Sequence, residues 1–152
     1  MFRAAMQAEL GDAFGKCLFD DRGDGDAADI LPKVLTALAN WSVAPQRVRL
    51  LRIIIAERVR FPEIVTIYDS AFDRRIIKPL QALIDIWIDR GQIDVHDSDH
   101  SARQLAAMIM GQVQQRAMLT GYRFTKEELA ACGQAASHLF LCRHTVIDNK
   151  VL

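Results

Sequence analysis

Apolar side chains recur every three or four positions along almost the whole chain, and strand-like alternation is nearly absent. That spacing predicts helices. Phe2, Met6, Leu10, Ala13 and Cys17 set a first helix over roughly residues 2–19, with Gly11 and Gly15 one turn apart inside it. The acids and glycines of DDRGDGDAAD, Asp20 to Asp29, break that helix. Ile30, Leu31, Val34, Leu35, Leu38 and Trp41 make a second, with Asp29 placed as N-cap and Pro32 tolerable in the first turn. Pro45 opens a third, which ends at Phe61-Pro62. A fourth runs from Pro62 to Arg90, kinked at Pro79 and stopped by Gly91. Asp97 caps a fifth over Ser98 to Thr120, closed by Gly121. Thr125 and Glu128 form a capping box for a sixth, reaching about Val146. The expected fold is all-α, with no sheet, no internal repeat and no low-complexity tract.

The third helix raises a question of its own. In RIIIAERVRFPEI, Arg52 to Ile64, three isoleucines lead directly to a glutamate. At about 100° per residue, Arg49, Arg52, Ala56 and Arg60 share one narrow face, and apolar residues take most of the rest. Such breadth implies a helix packed on most sides. Glu57 falls off the arginine face, between Ile53 and Leu50. Two readings stay open. Glu57 bends to solvent or pairs with Arg60 or Arg116, or it supplies one polar contact in an apolar pocket.

Composition narrows the function classes. The 152 residues are 51% hydrophobic and carry 19 basic and 19 acidic side chains, for a net charge of +0. One domain with a sizeable core is expected, without the basic excess of a nucleic-acid binder. Cys17, Cys132 and Cys142 lack metal spacing and read as reduced, buried thiols of a soluble cytoplasmic protein. No apolar run approaches the ~18 residues of a membrane span.

Two stretches carry a family resemblance. RLLRIIIAERVRFPEIVTIYDSAF has an apolar helix ending in Ala-Glu, then Phe-Pro-Glu opening the next. IWIDRGQIDVHDSDHSARQLAAMIMGQVQQRAMLTG adds the Arg-Gly stop, the acidic N-cap and a long apolar helix ending in glycine. Taken in order, they resemble the C-terminal domain of TetR-family transcriptional regulators, notably the AefR-like subgroup, over roughly residues 2–145. The resemblance implies a six-helix orthogonal bundle whose last two helices form a four-helix bundle across a homodimer. It implies a small apolar or amphipathic effector held among the first five helices, with no enzymatic activity and no cofactor. DNA would be reached only through a helix-turn-helix domain, of which these residues show nothing; MFRAAMQAEL resembles the helix that follows such a domain.

Candidate ligand residues on this reading are Phe14, Leu18, Glu57, Phe61, Tyr68, Phe72, Trp87, Met108 and Gln112. Tyr68 and Phe72 share a helix face, methionines suit adaptable pockets, and Gln112 sits on an apolar stripe where it needs a partner. The sixth helix has apolar residues around more than one face, so one stripe is left for a twin. Leu129, Cys132, Ala136 and Phe140, with some of Leu105 and Ile109, are the expected dimer residues, and the small residues Gly133, Ala135, Ala136 and Ser137 would admit a close neighbour. No metal site is expected. In DVHDSDH, His96 precedes the N-cap and cannot share a helical face with His100. DRGDGDAAD has Arg22 in a calcium-ligand place, and the repeated Glu-x-x-His of a di-iron bundle is missing. A small helical enzyme or metal-binding bundle, and a helical protein–protein adaptor, are the alternatives.

Overall fold

The structure, a computed structural model, describes Ala4, Ala5, Ala8 and residues 24–146. The first expected helix therefore lies outside the described residues, apart from those three alanines. Helix α1 spans Ala27–Ser42, α2 Pro45–Glu57, α3 Glu63–Phe72, α4 Lys78–Asp89, α5 Ser98–Thr120 and α6 Lys126–His144. Among the described residues, the only extended pairing is a single antiparallel bridge between Ile93 and Thr145.

The stretch expected as one kinked helix is more structured than that. Helices α3 and α4 are joined without a break by a π-helical turn, Asp73–Ile77. Pro79 has no N–H to give to the carbonyl four residues back. The backbone takes up the irregularity just before it, where the Lys78 N–H bonds to the Asp73 carbonyl five residues earlier.

The expected local caps are present at the later helices. Asp97 accepts from the His100 N–H at 3.0 Å. Thr125 and Glu128 bond reciprocally as a capping box. Gly91 and Gly121 both take the left-handed conformation, φ +68° and +69°, which a glycine adopts without strain. The start of α1 differs from expectation. Its N-cap is Asp26, and Asp29 sits in the first turn. Asp26 does not cap with its own carboxylate. Gln92, between α4 and α5, accepts from the Ala27 N–H at 2.8 Å and donates to Asp26 Oδ1 at 2.9 Å. A distant amide therefore satisfies the helix end, which no local pattern reveals.

Helices α1 and α6 make the most extensive pairing, and α5 packs against both α1 and α4. Gly133 explains the closeness of α6 to α1. A Cβ there would stand 2.6 Å from the Thr36 backbone N and 2.9 Å from its Cα. The small residue thus admits a neighbour within the same chain, where the sequence pattern suggested a partner subunit. The same holds for the expected dimer residues. Leu105, Ile109, Leu129, Cys132, Ala136 and Phe140 are all buried inside the single chain and have almost no surface left for a twin. Trp87, expected at a pocket, is fully buried in the core with its indole N–H lacking an acceptor. Of the described cysteines, Cys132 is buried and Cys142 is exposed, against the expectation that both would be inside. No helix among the described residues is long and apolar enough to cross a membrane.

Candidate functional site

The least ordinary side chain in the core is Arg47, only 1% exposed near the start of α2. Ionised groups are rarely buried to that degree, because desolvation costs far more than most packing returns. Arg47 is held by aromatic groups. Its guanidinium lies 4.2 Å from the ring centre of Trp41, at the end of α1, and 4.8 Å from that of Tyr68, on α3. One of its N–H groups donates to the Tyr68 hydroxyl. A cation over an aromatic face gains most where water is excluded. Burial pulls the Arg47 pKa down and pushes the Tyr68 phenol up. Tyr68 therefore stays protonated at neutral pH, and a guanidinium keeps its charge even when buried.

Tyr68 extends this cluster outward. Its ring stacks on Phe72 at 6.2 Å and 14°. Both rings line a groove of about 500 Å³ between α3 and α5, continued by Ile77, Ala106, Met110 and Gly111. Asp69 and Arg103 add polar groups to the same wall. Mostly apolar walls with a few fixed polar groups are the usual make-up of a small-molecule site. A second, wider cleft of about 680 Å³ lies where the α1–α2 junction meets the α5–α6 loop, and Arg49, Arg52 and Arg123 line it. Arg52 is already engaged there, donating to the Met118 carbonyl at 2.6 Å in the last turn of α5. That contact places a cation where the helix end is most negative.

Of the expected ligand residues that are described, the structure brings Tyr68 and Phe72 together and scatters the others. Glu57 is half-buried at the end of α2 and forms no ion pair with Arg60 or Arg116 among the described residues. Arg60 instead lies 5.2 Å from the ring centre of Phe61, and Arg116 lies 3.7 Å from that of Tyr122. Phe61 is half-buried against the edge of the core, as is Met108. Gln112 is exposed at the seam of α5 and α6, where it accepts from the Cys132 thiol at 3.2 Å. The buried glutamine is Gln114, two residues on, which donates to the Ser42 carbonyl at the end of α1. Phe14 and Leu18 lie outside the described residues.

Sequence reasoning missed Arg47 although a signal was present. By the count of about 100° per residue, Arg47 points away from Arg49, Arg52 and Arg60, between Ile54 and Leu51. An arginine in phase with the apolar face is the mark of a buried charge. Glu57, by contrast, stands at the end of α2 and is half-buried.

The described residues thus form an all-helical unit in which aromatic groups close on a buried cation. Residues 29–146 match the C-terminal domain of AefR-like transcriptional repressors, and the chain belongs to that family. The family is one of regulators and not of enzymes. A search of curated proteins finds no match. Among solved structures, the chain is similar to a crystal structure from Mesorhizobium loti MAFF303099 assigned to the TetR family of transcriptional regulators. The two share 19% sequence identity with a TM-score of 0.74, over 95% of this chain and 70% of the other. At that identity the likeness concerns the fold.

Proposed function

We propose that this chain is the effector-binding and dimerisation domain of a cytoplasmic TetR-like regulator, which senses a small apolar or amphipathic molecule. The observation that carries the reading is Arg47, the one charged side chain among the described buried residues, held by Trp41 and Tyr68. Well-packed apolar residues usually match or exceed a buried charge in stability. Tyr68 both lines the groove and accepts from Arg47, and a charge retained behind that aromatic wall favours recognition of a polar or anionic end on a greasy molecule. Binding need only prefer one of two arrangements of the helices to alter DNA affinity through a helix-turn-helix domain.

The thermal stability of the purified protein with chain-length series of alkyl carboxylates, and of the matching neutral amides, tests this. A compound at a hundred times its Kd adds about 2.7 kcal/mol to stability, a rise of several degrees in Tm. The carboxylates should give the larger shift, and Arg47→Met should remove their advantage. Equal shifts in the two proteins, or none with any compound, would defeat the assignment.

The second half of the proposal is a homodimer through α5 and α6, on a face offset from the buried stripe. Ala131, Ala135, His138, Leu139 and Cys142 are exposed along one side of α6, and Ala107, Gly111, Gln112 and Gln115 along α5. Leu139 is 61% exposed at the middle of that face. Small residues flanking one large apolar group suit close pairing of helices about a two-fold axis. Sedimentation should report a dimer for the native chain and a monomer for Leu139→Glu. A native sample running at 17.1 kDa would remove the dimer from the proposal.

A further inference from the structure

Asp94 and His96 precede α5, and His144 is the last residue of α6. The fold brings these distant positions together. The Asp94 N–H donates to the His144 carbonyl at 2.8 Å, beside the Ile93–Thr145 bridge. His144 Nδ1 lies 2.7 Å from Asp94 Oδ1, and His96 Nδ1 lies 3.3 Å from the same oxygen. One ligating atom from each of the three residues falls within 4.8 Å of the other two. The imidazoles stack with ring centres 4.0 Å apart, and Phe140 packs against both. Each histidine side chain is only 14% exposed. Hydrogen bonding alone leaves the cluster incomplete, because His96 Nε2 is buried without a partner.

We propose that Asp94, His96 and His144 bind a divalent late-transition-metal ion, zinc foremost. Two neutral imidazoles and one carboxylate are a common donor set for such ions, and three protein ligands leave a position for water. Backbone bonds already fix the chain on both sides, so little ordering remains to be done on binding. Arg143 competes for Asp94 Oδ2 at 3.6 Å, but its side chain is 74% exposed and can turn to solvent. The ion would tie the loop before α5 to the end of α6. This inference does not depend on the effector reading.

The test is a cobalt titration of chelator-treated protein, followed in the visible spectrum, with zinc added afterwards. We expect ligand-field bands that saturate at one ion per chain and are bleached by zinc. Asp94→Asn and His144→Ala should each weaken binding at least about tenfold, whereas His100→Ala should bind as the native chain does. Asp94→Asn keeps the shape of the side chain, so its melting curve in chelator shows whether loss of metal is separate from loss of fold. The exposed Cys142 lies 3.4 Å from His138 Nε2 on α6 and is the competing donor pair. Binding that survives both cluster variants, or that disappears in Cys142→Ser, would overturn the proposal, as would native protein that takes up no cobalt.

Discussion

Between α1 and α6 the chain buries small and aliphatic groups, and between α2 and α3 it buries a guanidinium. The first contact closes by shape. Gly133 lets the backbone of α6 approach Thr36, and Leu31, Leu35 and Leu38 are sealed beneath. The second closes by electrostatics. Arg47 is tolerated because Trp41 and Tyr68 present ring faces and a hydroxyl to it. A contact closed by shape has two states, fitted or broken, and suits a frame. A contact closed by a buried cation depends on what stands opposite the charge, and suits a sensor.

The comparison breaks most severely at Gly133. Gly133→Val would place side-chain atoms against the Thr36 backbone, which cannot turn aside as a flexible side chain would. Overpacking of this kind costs about 3 kcal/mol or more. Chemical denaturation should show it as a lower midpoint with the slope unchanged. Near-native stability would mean that the two helices separate easily and that α1–α6 is no rigid frame.

A smaller effect tests the other region. Tyr68→Phe keeps the ring over Arg47 and its stack on Phe72 but removes the acceptor for the arginine N–H. A hydrogen bond to a charged group contributes about 1.5–3 kcal/mol, and the variant should lose an amount near the lower end, since the cation–π contact remains. The same denaturation series measures it. No loss would indicate that ring contact alone holds the cation.

The same contrast decides what could be read from the sequence. Helices and their ends were legible where the signal is local. Asp97 with His100, Thr125 with Glu128, and the left-handed Gly91 and Gly121 all lie within a turn of the groups they serve. The Gln92 cap on α1 and the π turn before Pro79 were not, because the first joins residues 65 apart and the second leaves the apolar period almost unchanged. On α6, periodicity identified the apolar stripe of Leu129, Cys132, Ala136 and Phe140 correctly, but a stripe does not say what covers it. Here α1 and α5 cover it, so the face proposed for a twin is the other one. The triad of Asp94, His96 and His144 was invisible for the same reason. Sequence spacing offers His96 only His100 as a near neighbour, off any shared helical face, whereas the fold stacks it on a residue at the far end of α6.

The weakest contacts set the lower end of the scale, and pH isolates them. Asp99, in the first turn of α5, accepts from Arg103 Nε at 2.7 Å and from Lys78 at 3.1 Å, while Arg103 also reaches Asp73 in the π turn at 2.6 Å. These bonds, that of Arg103 first, hold the Asp99 carboxyl below its usual range. A lowered folded-state pKa means that the contribution is complete above the unfolded carboxylate value, near pH 4, and is lost as pH falls through the lowered value. The groups are well exposed, so the contribution is small and screened by salt. Asp99→Asn should therefore melt slightly below the native chain at pH 6, and the gap should close with acid and shrink in high salt. A gap that persists unchanged into strong acid would show that Asp99 acts through its shape near the start of α5 and not through its charge. The link between α5 and the π turn would then belong with the contacts closed by shape.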